Sequence, residues 1–72
     1  MADPKIEILS VLRSWDESGR PAPPTEQVAA LARLRMGVAT TAFAELERSG
    51  DIRSAGRDSF EITDRGRTAL DP

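Results

Sequence analysis

The apolar residues of this chain recur at helical spacing up to Gly50 and at strand spacing after it. A period near 3.6 buries one stripe of a helix, and a period of 2 buries one face of a strand. The change of period therefore predicts a helical bundle followed by strands, within one small domain over residues 1–72. At 72 residues the core is small and the stability margin is thin.

Three helical signals come in order. Asp3-Pro4 pairs a good N-cap with the residue favoured at the first helical position. Ile8, Leu12 and Trp15, with Leu9, Val11 and Ile6, predict an amphipathic helix over 4–18, with Trp15 in the core at its end. Gly19 is a left-handed stop, and Arg20-Pro21-Ala22-Pro23-Pro24 is a stiff, extended connector. Thr25 is expected to cap a second helix of about ten residues, with Val28, Leu31 and Ala32 as its buried stripe and Leu34 at its end. Arg35-Met36 then forms a tight turn into a third helix over 37–49, whose buried face is Ala39, Ala42, Phe43 and Leu46. Gly50 stops that helix.

The strand period covers a hairpin over 51–62. Ile52 and Ser54 lie on one strand, Phe60 and Ile62 on the other, and Ala55-Gly56-Arg57-Asp58 supplies the turn. A lone hairpin is marginal in water, so Ile52, Phe60 and Ile62 are expected to rest on the helices. Thr63 is expected to cap a short helical turn through Arg67, with Leu70 packing back.

Composition narrows function by exclusion. Without cysteine or histidine, disulfides, thiol chemistry and the commonest metal ligand and general base are absent. No buried acid pair is set up, so neither an enzyme, a metal site nor a cofactor is expected. The apolar runs are too short to span a bilayer, and Met1-Ala2-Asp3-Pro4 lacks the basic and apolar regions of a secretory leader. A cytoplasmic protein with no membrane partner is expected, and no small-molecule effector is evident.

The net charge is −2, from 10 Lys+Arg and 12 Asp+Glu. Nine of the cations are arginine, and seven of those follow residue 30: Arg33, Arg35, Arg48, Arg53, Arg57, Arg65 and Arg67. Acids are mixed among them, so a nucleic-acid surface requires the fold to separate the signs.

Three motifs carry a family resemblance. Pro23-Pro24-Thr25, followed by Val28-Ala29, resembles the step into the second helix of the N-terminal domain of LexA-type repressors. Leu46-Glu47-Arg48-Ser49-Gly50-Asp51-Ile52 resembles the end of the recognition helix in MarR-like winged-helix regulators. Ile62-Thr63-Asp64-Arg65-Gly66-Arg67 is similar to the close of the wing in those families. The chain departs from their pattern at Gly37 and Val38, where Ser, Thr or Arg is usual, and at Ala44 and Glu45, where a basic or amide side chain is common.

The resemblance implies an α+β, mainly α fold: a winged helix-turn-helix, a three-helix bundle with a two-stranded β-hairpin wing. It also implies that double-stranded DNA is the partner, with the third helix in the major groove and the wing on the backbone or minor groove. Thr40 and Thr41 then meet phosphates or a thymine methyl, Arg48 and Arg35 meet phosphate, and Arg57 at the wing tip enters the minor groove. Arg53 joins this set, unless it pairs with Glu61 across the hairpin. Arg33, Arg65, Arg67, Arg13 and Lys5 are read as solvated surface charges. With few base-reading groups on the third helix, a homodimer on a two-fold site is expected, joined through helix one or the C-terminal segment. The competing reading is a winged-helix protein-interaction module without DNA binding, favoured by the acidic balance and by Glu45, Asp51 and Asp58.

Overall fold

Asp3 opens the first helix as expected. Its carboxylate accepts a hydrogen bond from the Lys5 N–H at 3.0 Å, and α1 runs over Pro4–Glu17. The computed structural model describes residues 3–71; Met1, Ala2 and Pro72, the ends of the single domain expected over 1–72, lie outside the described residues. Ile8, Leu9 and Leu12 are the buried stripe of α1, and Gly19 turns the chain with a φ of 74°.

Trp15 departs from its expected place in the core. It is half-buried; its indole N–H donates to the Pro21 carbonyl at 2.6 Å, and the Arg20 guanidinium lies 4.0 Å from the ring centroid. An indole N–H must keep an acceptor, so the ring sits where the connector's backbone can supply one. Trp15 thus pins the proline-rich segment to the end of α1.

The second helix, α2, is shorter than its pattern predicts and covers Thr25–Leu31. Thr25 is its first residue rather than its cap; Pro24 holds the cap position, with no side-chain hydrogen bond. Val28 and Ala29 are buried, whereas Leu31 is 54% exposed and leaves the predicted stripe. The helix stops because Arg33 takes a left-handed φ of 57°, and Leu34 N–H donates back to the Ala29 carbonyl at 2.9 Å. The turn is therefore Ala32–Arg35, and not Arg35-Met36. Leu34, outside the helix, packs on the core.

The third helix, α3, runs over Met36–Ser49 and buries Ala39, Ala42, Phe43 and Leu46, the predicted stripe. Gly50 ends it with a φ of 86°. Two three-residue strands follow, β1 over Ile52–Ser54 and β2 over Phe60–Ile62. They pair antiparallel in the register Ile52↔Ile62, Arg53↔Glu61 and Ser54↔Phe60. Alternation turns Ile52 and Ile62 into the core and Arg53 and Glu61 away from it. Phe60 stacks on Phe43 with ring centroids 5.2 Å apart and planes 16° apart.

A further rung ties the connector to the hairpin: Pro24 forms an antiparallel bridge with Ser59, and Thr25 N–H donates to the Asp58 carbonyl at 2.8 Å. The start of α2 is thereby held against the hairpin tip.

The chain closes with α4 over Asp64–Leu70, one turn longer than expected. Thr63 Oγ1 accepts from the Gly66 N–H at 3.2 Å and donates to the Gly50 carbonyl at 2.6 Å. Gly66 packs so closely that a Cβ there would overlap the Asp51 carbonyl oxygen and lie 2.8 Å from Ile62 Cγ1. Leu70 rests on the core as predicted. The described residues thus form a mainly helical α+β protein of four helices and a two-stranded antiparallel hairpin, compatible with the expected winged-helix order. No helix among them is long and apolar enough to cross a membrane.

Candidate functional site

The surface arginines and the lysine divide into two groups. Five cations have a carboxylate within 4.0 Å: Lys5 with Glu45 at 3.4 Å, Arg13 with Glu17 at 3.8 Å, Arg65 with Asp51 at 3.8 Å, Arg53 with Glu61, and Arg67 with Asp16. The Arg67 pair joins α4 to α1, so Arg67 is a tertiary clasp and not the plain helix-surface charge its position suggests. Among the described residues, the other five, Arg20, Arg33, Arg35, Arg48 and Arg57, have no such partner. Arg20 covers Trp15. The remaining four surround α3.

Arg33 and Arg35 lie in the turn that precedes α3, and Arg35 is its N-cap residue. Arg48 stands exposed in the last turn of α3. Arg57 is exposed in the hairpin turn, across a cleft from α3. The cleft exists because the Pro24–Ser59 bridge holds the hairpin tip against the start of α2, beside the Phe43–Phe60 stack.

The six residues singled out from sequence are not all brought together. Thr40 and Arg57 line the cleft, and Arg35 adjoins it through its neighbour Met36. Thr41 faces another groove, shared with Gly37, Val38 and the N-terminal turn of α1; its hydroxyl donates to the Gly37 carbonyl at 3.1 Å. Arg48 lies on the outward side of α3, opposite the buried stripe. Arg53 stands apart. It pairs across the hairpin with Glu61, the alternative its register allowed, and lines a recess beside α4 with Arg65 and Arg67.

The cleft is not uniformly cationic. Glu26, Glu47 and Asp58 line it together with Arg57. Glu45, on the other flank of α3, is engaged by Lys5. Two features escaped sequence reasoning. Arg33 reads as an ordinary helix residue, and only its left-handed backbone places it in the turn beside Arg35. Met36 and Val38, 45% and 44% exposed, give the start of α3 an apolar surface; their position outside the Ala39–Ala42–Phe43–Leu46 stripe is the signal that would have found them.

No three Asp or Glu side chains among the described residues come together as a metal ion would require. No protein-family model matches the chain, and neither a curated protein nor a solved structure matches it.

Proposed function

We propose that this protein is a winged-helix DNA-binding regulator of transcription, with α3 as the recognition helix in the major groove and the β1–β2 hairpin as the wing on the backbone or minor groove. One observation carries the reading: in a chain of net charge −2, four of the five cations that have no carboxylate partner among the described residues flank α3. Phosphate contacts supply most of the affinity of such proteins, and a guanidinium already paired contributes less than a free one. Arg33, Arg35, Arg48 and Arg57 are therefore the phosphate-contacting set, and Thr40 and Thr41 face the bases. Arg53, neutralised by Glu61, leaves that set. The proposed role is binding without catalysis, in the cytoplasm, by two copies on a two-fold site.

Titration into fluorescently labelled random duplex at about 50 mM and about 200 mM salt tests this. Four phosphate contacts give a slope of about −3.6 in log K against log salt, a loss of about 10²-fold over that range. Absence of binding at micromolar protein in low salt overturns the proposal. A second reading, a protein-interaction module, is favoured by one observation, the three carboxylates that share the cleft with Arg57. Its signature is a protein partner captured by the same surface together with no DNA binding.

A further inference from the structure

The exposed side of α3 changes chemistry along its length. From the first residue of the helix to Ala44, the exposed residues are Met36, Gly37, Val38, Thr40, Thr41 and Ala44. None has a charge or a carboxamide. The Thr41 hydroxyl donates its proton to the Gly37 carbonyl, so toward another surface it offers its methyl and an acceptor oxygen but no donor. At Gly37 there is open space where a Cβ would stand, so another surface can approach the helix backbone closely. Arg35 precedes this strip, Arg48 follows it, and Arg57 faces it from the hairpin, all three without a carboxylate partner among the described residues.

An uncharged, methyl-bearing strip with guanidinium groups at its ends and across the cleft, and with Glu45 and Glu47 on its flanks, complements the cross-section of a major groove at its centre. The groove has phosphates along its two edges and uncharged base edges on its floor. On that floor guanine calls for Arg or Lys, adenine for Asn or Gln, and cytosine for Glu or Asp; the one apolar group is the pyrimidine 5-methyl, which pairs with Ala or a Thr methyl. Apart from the Thr40 hydroxyl, which can bond to several base edges, and Glu47 at the border of the strip, the last kind of partner is the one it offers.

We infer that α3 reads DNA through pyrimidine 5-methyl groups, which in unmodified DNA are those of thymine, packed against Thr40, Thr41 and Ala44. The inference rests on the DNA-binding reading above. Specificity then arises from apolar contact on the strip, and the arginines around it set affinity without selecting sequence.

The test begins by enriching binding sites from a random duplex pool with the full chain. The enriched duplexes are then remade with uracil for thymine, which deletes only the methyl. Affinity is expected to fall about fourfold for each methyl lost from the contact. Thr40→Ser and Thr41→Ser, which remove a methyl and keep the hydroxyl, should shrink the difference between thymine and uracil duplexes, leaving the part that Ala44 contributes. Thr40→Val and Thr41→Val should keep it. A parallel arm with 5-methylcytosine for cytosine separates the two sources of the group: tightening in that arm alone keeps the methyl chemistry and assigns it to modified DNA. Equal affinity for thymine, uracil and 5-methylcytosine duplexes, or loss of discrimination in the Val variants but not the Ser variants, overturns the inference and leaves DNA binding standing. Absence of binding to every duplex at low salt overturns both.

Discussion

Lys5 Nζ lies 3.4 Å from Glu45 Oε2, so the first helix neutralises an acid on the flank of α3. Both side chains are about half exposed, at 46% and 50%, and a pair of that kind adds little to stability. Its effect is on the field around α3, where Glu45 would otherwise oppose the phosphates that Arg35 and Arg48 are proposed to meet.

Lys5→Ala should therefore shift unfolding by less than about 1 kcal/mol, yet weaken duplex binding roughly fivefold, on the order of 1 kcal/mol across a screened surface. Adding Glu45→Gln should restore it. Thermal melts and duplex titrations of both variants are the check. An equal loss of binding in the single and double variants would show that Lys5 contacts DNA itself.

Arg57→Ala should weaken binding to all duplexes alike and reduce the magnitude of the salt slope by about 0.9. Arg53→Ala, which removes the partner of Glu61 on the outward face of the hairpin, should leave the slope unchanged. If the two variants change the slope equally, the paired and unpaired arginines are not functionally distinct, and the charge argument for the interface fails.

Glu47 separates the two functional readings. It lines the cleft with Thr40 and Arg57, and no cation among the described residues lies within 4.0 Å of it. For a DNA-binding surface Glu47→Gln removes a repulsion, and affinity should rise roughly threefold to tenfold at low salt. For a surface that recruits a basic protein partner the same change should reduce capture of that partner. Unchanged duplex affinity would place Glu47 outside the interface.

The parts of the fold legible in the sequence are those set by near neighbours. The stripe of α3, the Asp3 and Thr63 caps, the stops at Gly19 and Gly50, and the Arg53–Glu61 pair each follow from residue type and short spacing. What was not legible depends on distant backbone. Leu31 has the spacing of a core residue but is exposed at the last position of α2, and α2 itself ends early because a non-glycine residue, Arg33, turns left-handed. Trp15 finds its acceptor on Pro21, which requires the connector to fold back along α1. The Pro24–Ser59 bridge and the Lys5–Glu45 and Arg67–Asp16 pairs join residues far apart in the chain. The candidate site was correspondingly half legible: among the described residues Arg35, Arg48 and Arg57 have no carboxylate partner, while Arg53 has one.

Two glycines allow a direct test of the packing. Gly66 sits in the first turn of α4, where a Cβ would overlap the Asp51 carbonyl oxygen and crowd Ile62. The overlapping atom is backbone that also accepts the Thr63 N–H at 3.0 Å, so it cannot yield without loosening the junction between α3, β2 and α4. Gly66→Ala should cost about 1–3 kcal/mol or more, which in a domain of this size lowers Tm by roughly 10 °C. Gly37 has no atom within 4 Å of its added Cβ and lies in the first turn of α3. Gly37→Ala should therefore stabilise by roughly 0.5 kcal/mol through helix propensity. The same variant places a methyl on the proposed DNA-facing strip, so its effect on binding reports how closely the backbone approaches the groove. If Gly66→Ala melts at the native temperature, the close packing of α4 against Asp51 is absent in solution.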